Sequence, residues 1–257
     1  MKKTAIIAAL TAAFLLPLGA AAAQNELLVA AASSLTDALS GLQAEAEAAS
    51  GAKILFNFGA SGTLRRQIAE GAPVDVFFSA AAEDMDSLQK AGLVEPGSRK
   101  DLLTNGIVLV GGASQAKPAD MAALKALLAS APLLALGNPD SVPAGRYAVQ
   151  ALKTLDLFSI VEKKLVLGGN VRQVLQYVES GSAPLGVVFS TDASAVKAGS
   201  PVKTLWQFPE SALATPVLYP VAVVANSARK AEAAKLIAFL QGPIAREAFR
   251  RAGFGLR

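Results

Sequence analysis

The sequence predicts an α/β protein with largely parallel sheets, and three observations carry that expectation. Short apolar runs alternate with segments whose apolar residues recur at helical spacing, from Leu27 almost to the end of the chain. Two successive runs end in a serine-bearing turn that opens a helix, first at Ser33-Ser34 and then at Gly59-Ala60-Ser61-Gly62. Between Leu102 and Val110, two apolar runs flank Thr104-Asn105-Gly106 with no helix between them, which is the texture of a crossing from one lobe to another.

The chain opens with Lys2-Lys3, an apolar run from Ala5 to Leu18 and the small residues Ala21-Ala22-Ala23, the pattern of a cleavable secretory signal over residues 1–23. That run is too short to span a bilayer, and no later segment reaches the ~18 uninterrupted apolar residues of a membrane helix. The mature chain is expected to be exported, and the lack of cysteine argues against an N-terminal lipid anchor.

Leu27 to Ala32 reads as the first strand, after which Leu35, Ala38, Leu39 and Leu42 fall on one helical face. Ser34 stands where an N-cap belongs, with Asp37 three residues on as in a capping box. A second strand, Lys53 to Phe58, leads through Ser61 into a helix that stops at Gly71-Ala72-Pro73. Val74 to Ser79 is a third strand, with Asp75 an edge or loop-facing polar residue, and a helix follows from Ala81 to Ala91. Beyond the crossing, a helix over 119–130 leads to the strand Leu133 to Leu136 and a Gly/Pro-rich turn. Pro143 then suits the first turn of a helix over 144–155. Lys164 to Leu167 is a strand entering a helix at Val171 through Gly168-Gly169-Asn170, and Leu185 to Phe189 is a buried-type strand ending at Ser190-Thr191-Asp192. Val202 to Phe208 and Val217 to Ala225 read as extended, the latter returning the chain to the first lobe, and helices over 228–240 and 244–252 finish it.

The start of a helix is suited to anions. Its first amides lack intrahelical acceptors and the summed peptide dipoles leave partial positive charge there, so an oxyanion is held without a cationic side chain. Open α/β sheets bind ligands at the carboxyl ends of their strands, so Ser34 and Ser61 point to one shared site. The competing reading is that both serines merely cap their helices. Arg65, Arg66 and Arg172 lie close by in sequence and are read as surface residues that add to the field around the site.

Composition narrows the chemistry. The chain of 257 residues carries 24 basic and 20 acidic side chains, a formal charge of +4; without Lys2 and Lys3 the basic count is 22 and the charge +2. That balance gives no support to nucleic-acid binding. There is no histidine and no cysteine, which excludes disulfides, thiol nucleophiles, Ser-His and Cys-His pairs and ordinary zinc or copper sites. The 234 residues after position 23 suffice for one large domain or two lobes.

With these residues assembled, the chain resembles the periplasmic molybdate-binding proteins of ABC importers. The resemblance runs from about Leu27 to Gly255 and rests on five blocks in order: AAASSLTDAL, SGTLRRQIAEGAPVDVFFSA, GNPDSVPAGRYA, APLGVVFSTDA, and YPVAVV with QGPIAREAFRRAGF. It implies the type II periplasmic-binding fold, with two α/β lobes joined by two crossing segments and a ligand cleft between them. Residues 24–104 plus 217–257 would form one lobe and residues 105–216 the other. It further implies that molybdate, and with it tungstate, is held as a tetrahedral dianion by neutral donors. Ser34 and Ser61 would offer hydroxyl and amide from the first lobe, and Ala144 and Val171 their backbone amides from the second. The family's tyrosine just before the Ser-Thr-Asp turn is Phe189 here, so one hydroxyl donor is missing. No catalytic residue and no cofactor is implied, and molybdenum enters only as the bound oxyanion. The implied setting is a monomer in the periplasm, with an ABC permease and its ATPase as partners. Rival readings are a binder of sulfate or another small oxyanion, an adhesion module without a small ligand, and a secreted serine hydrolase. The hydrolase would lack both a histidine base and a G-x-S-x-G elbow.

Overall fold

The computed structural model describes residues 25–196 and 199–257, so the segment read as a signal lies outside the described residues. In chain order the elements are β1 (Glu26–Ala32), α1 (Thr36–Gly41), α2 (Gln43–Ser50), β2 (Lys53–Gly59), α3 (Ser61–Ala69), β3 (Val76–Phe78), α4 (Ala82–Lys90), β4 (Lys100–Asn105), β5 (Ile107–Gly112), α5 (Met121–Ser130) and β6 (Leu134–Gly137). They continue with α6 (Pro143–Thr154), α7 (Phe158–Val161), β7 (Leu165–Gly168), α8 (Val171–Glu179), β8 (Leu185–Phe189), α9 (Ser190–Ser194), β9 (Val202–Gln207), β10 (Val217–Val223), α10 (Lys230–Leu240), α11 (Pro243–Arg251) and β11 (Gly255–Leu256).

The strands form two sheets, one in the order β11-β4-β10-β3-β1-β2 and one in the order β7-β6-β8-β5-β9. Strands joined by helical crossovers run parallel, as in β2-β1-β3 and β7-β6-β8. The expectation of largely parallel sheets needs one correction: β10 runs against β3 and β4, and β5 runs against β8 and β9. The reason is topological. β4 ends at Asn105 and β5 begins at Ile107, while β9 leads over residues 208–216 into β10. A strand that receives the chain directly from the other lobe enters its sheet at the cleft, where its parallel neighbours end, and so runs opposite to them. Each lobe thus keeps the carboxyl ends of its parallel strands facing the cleft.

Helices cover both sheets with apolar faces of helical period. α8 buries Val171, Val174, Leu175 and Val178, and α4 buries Met85 and Leu88. Each such side chain contributes roughly 1.5–3 kcal/mol when fully removed from water. Asp120 caps α5 and Asn170 caps α8, accepting from the amides of Ala123 and Gln173. α6 presses so closely on the end of β6 that a Cβ at Gly145 would stand 1.9 Å from the carbonyl oxygen of Gly137, which only a glycine allows. Asp75 lies in the bend just before β3, where its carboxylate accepts from the Leu28 amide at 2.8 Å and the Ser227 hydroxyl at 2.6 Å, stitching β1 to the segment after β10.

Candidate functional site

The carboxyl ends of β1, β2 and β8 and the starts of α3, α6 and α8 surround a small cavity between the lobes. Its wall includes Ser34, Ser61, Val142, Pro143, Val171 and Phe189. Four of the five residues expected at a site therefore line one cavity, and Ala144 lies beside it, fully buried next to Pro143.

The serines differ from the expected caps. Ser33–Leu35 is a single 3-10 turn, α1 starts only after Leu35, and neither has a side-chain cap. Ser34 Oγ instead lies 2.9 Å from the hydroxyl of Tyr219 on β10, and Asp37 pairs with Arg172. The buried phenol needs a partner, and a contact across the fold wins over a local cap. Ser61 is the first residue of α3 rather than its cap, and its Oγ accepts from the Ala80 amide at 2.9 Å.

Proton bookkeeping follows from these bonds. Asn105 Oδ1 accepts from the amides of Gly106 at 2.9 Å and Thr191 at 3.4 Å, which fixes the orientation of its side-chain amide. Nδ2 then donates to the Thr191 hydroxyl at 2.8 Å and to the Tyr219 hydroxyl at 3.0 Å. Burial holds the Tyr219 phenol well above the ordinary tyrosine range, so it keeps its proton, and Ser34 Oγ is the acceptor in reach. Both Ser34 and Ser61 thus accept from the protein and retain a proton to give. The amides of Ser34, Ser61, Ala144 and Val171 find no protein acceptor among the described residues, and the last three stand in first turns of helices.

The arginines are engaged elsewhere. Arg65 pairs with Asp84 at 3.3 Å, and Arg66 reaches the Asp140 carbonyl at 3.4 Å. Arg172 is not the surface residue expected: it forms ion pairs with Asp37 and the fully buried Asp192, each at 2.7 Å, joining α1 to α8 and α9 across the cleft. Sequence reading missed Arg146 of α6, which clasps Glu83 and Asp84 of α4 on the other flank. Gly62 approaches the opposite lobe, its amide donating to the Ser141 carbonyl at 2.9 Å. Tyr219 and Asn105 were also missed; the Thr104-Asn105-Gly106 step signals a crossing but not its hydrogen bonds. Phe189 is buried, with edge contacts to Tyr147 at 6.4 Å and Tyr219 at 5.7 Å between centroids.

Burial raises Asp192 from 3.8 to about 7, against the pull of Arg172. A carboxyl raised on folding contributes stability that is full below its unfolded value and lost as pH rises through the folded one. Asp192→Asn is therefore expected to lessen the fall in melting temperature between about pH 5 and pH 8, as read by thermal melts across that range. An unchanged slope contradicts this assignment.

Two α/β lobes with a cavity between them are the architecture of a solute-binding protein. The chain belongs to the bacterial extracellular solute-binding protein family, whose model matches residues 27–255. It is 36% identical to the molybdate-binding protein ModA of Haemophilus influenzae over 241 residues, 92% of each chain. It is 35% identical to ModA of Escherichia coli over 241 residues, 93% of this chain and 92% of that one. Among solved structures, the periplasmic molybdate-binding protein of Azotobacter vinelandii matches with a TM-score of 0.77 at 27% identity, covering 90% of this chain and 99% of that one.

Proposed function

We propose that this protein binds molybdate, and with it tungstate, between its lobes and delivers it to an ABC permease and its ATPase for import. The observation that carries the reading is the polarity of the cavity: Ser61 Oγ accepts from the Ala80 amide and Ser34 Oγ is paired with the protonated Tyr219 hydroxyl, so each serine keeps a proton to offer. Three first-turn amides beside them add further donors, a set that suits a ligand with acceptors alone. Ser34, Ser61, Ala144 and Val171 would hold its oxygens, without a cofactor or a catalytic step. The relatives' molybdate binding supports the choice of anion. Residues 24–104 and 217–257 are assigned to one lobe and 105–216 to the other, a division supported by the strands of each sheet. The protein would act as an exported monomer in the periplasm, with residues 1–23 as its signal.

Titration calorimetry with molybdate, tungstate and sulfate tests the reading, since a ligand of the folded state also raises the melting temperature by mass action. One-to-one binding of molybdate supports it. No response to molybdate or tungstate with a clear response to sulfate assigns the site to the smaller anion instead. Phe189→Tyr is expected to keep or tighten molybdate affinity, because Phe189 lines the cavity and one added hydroxyl is a small change of volume. A loss beyond about tenfold would show that no room exists there.

A further inference from the structure

We infer that Asn105 and Tyr219 are positioning residues that force Ser34 to act as a hydrogen-bond donor and make that polarity depend on the meeting of the two lobes. The inference rests on the molybdate reading above and adds to it two residues outside the cavity wall. The chain of bonds runs in one direction. The amides of Gly106 and Thr191 donate to Asn105 Oδ1 and Asn105 Nδ2 donates to Tyr219, whose own proton is then placed to go to Ser34 Oγ, 2.9 Å away. The Ser34 proton is thereby left free to face a ligand. Without the Asn105 donor, the pair Tyr219–Ser34 has two equivalent arrangements, one of which turns the serine proton away from the cavity and its lone pairs toward an anion.

The start of the chain lies at the crossing between lobes. Asn105 is the last residue of β4, one residue before β5 of the other sheet, and both Thr191 contacts come from α9 of that second lobe. Thr191, Asn105 and Tyr219 are drawn from sites 86 and 114 residues apart along the chain, so the arrangement exists only when the fold brings the crossing, β10 and α9 together. Lobe closure and donor polarity at Ser34 would then be one event, which gives an acceptor-only anion a differential affinity for the closed form. Burial of Tyr219, 0% exposed, excludes water as a substitute for either bond.

A double-mutant cycle tests this by calorimetric titration of the full mature chain with molybdate. Tyr219→Phe keeps the ring and removes the donor, and is expected to weaken binding about 2- to 12-fold, the worth of one neutral hydrogen bond. In a Ser34→Ala background the same change is expected to have less than about a twofold effect, because its target is gone. Asn105→Asp serves as the second variant, since its acceptor-only side chain draws the Tyr219 proton away from Ser34. Its added charge repels an anion equally in both backgrounds, so the difference between backgrounds reads polarity alone. Equal fold-losses with and without Ser34, or no loss from Tyr219→Phe, overturn the inference. No heat from the unaltered protein overturns the molybdate reading itself, so the two failures are distinguishable.

Discussion

Ser34→Ala and Ser61→Ala are each expected to weaken molybdate binding by roughly 10- to 150-fold, the worth of one hydrogen bond to a charged partner at about 1.5–3 kcal/mol. A dianion enclosed between lobes must replace its lost hydration with donors, and each of these two hydroxyls has a proton to offer. Ser34→Ala also leaves the buried Tyr219 hydroxyl without its acceptor, so a stability loss of about 1–3 kcal/mol accompanies it. Arg65→Ala and Arg66→Ala are expected to change affinity by less than about fivefold: the exposed Arg66 charge is screened within about a Debye length, so its effect falls mainly at low salt, and the half-buried Arg65 is already paired with Asp84. Arg172→Ala is different in kind: it strands the buried carboxyl of Asp192 and loosens α1 from α8 and α9. Its loss should appear in stability before affinity. Titrations at two salt concentrations, with melting temperatures alongside, separate these outcomes. A salt-resistant loss of a hundredfold from Arg65 or Arg66 with silent serines would make the site cationic.

Gly62→Ala is expected to lower affinity by about tenfold or more while leaving the melting temperature of the ligand-free protein level or higher. A Cβ there would stand 2.7 Å from the Ser141 carbonyl oxygen and 3.0 Å from its Cα, backbone atoms of the opposite lobe that yield only by moving the lobes apart. The 2.9 Å bond from the Gly62 amide to Ser141 breaks with that movement. Within α3 itself, alanine is the better helix former by about 1 kcal/mol. Stability and affinity should therefore part, since apparent affinity falls with the fraction of protein able to close. Calorimetry and thermal melts on the same preparation check both, and an unchanged affinity would mean that closure does not need this contact.

How much of this was legible in the sequence depends on the range of the interaction. Strands and helices declared themselves because their periods are local, so β1, β2, β6, β7 and β8 and the starts of α6 and α8 fell within a residue or two of expectation. α2 went unseen because QAEAEAAS buries only Ala46 and Ser50 and shows no apolar stripe. The residues that line the cavity were legible through the serine turns and the family's blocks, yet the cap expected of Ser34 does not form. Its partner Tyr219 is 185 residues away, and an N-cap is the strongest local signal a Ser-x-x-Asp step can give. The same holds for Arg146 and Asp84, 62 residues apart, whose clasp only the meeting of α6 with α4 creates. Reversal of β5 and β10 depended on where the chain re-enters a sheet, which no run of residues encodes by itself.

The central claim, an oxyanion held between the lobes by neutral donors, is tested most directly by crystals grown with tungstate, whose metal is located by anomalous scattering. The account predicts one strong peak in the cavity, with oxygens within hydrogen-bond distance of Ser34 Oγ, Ser61 Oγ and the amides of Ala144 and Val171. A peak against the guanidinium group of Arg172, or no peak between the lobes, would contradict it.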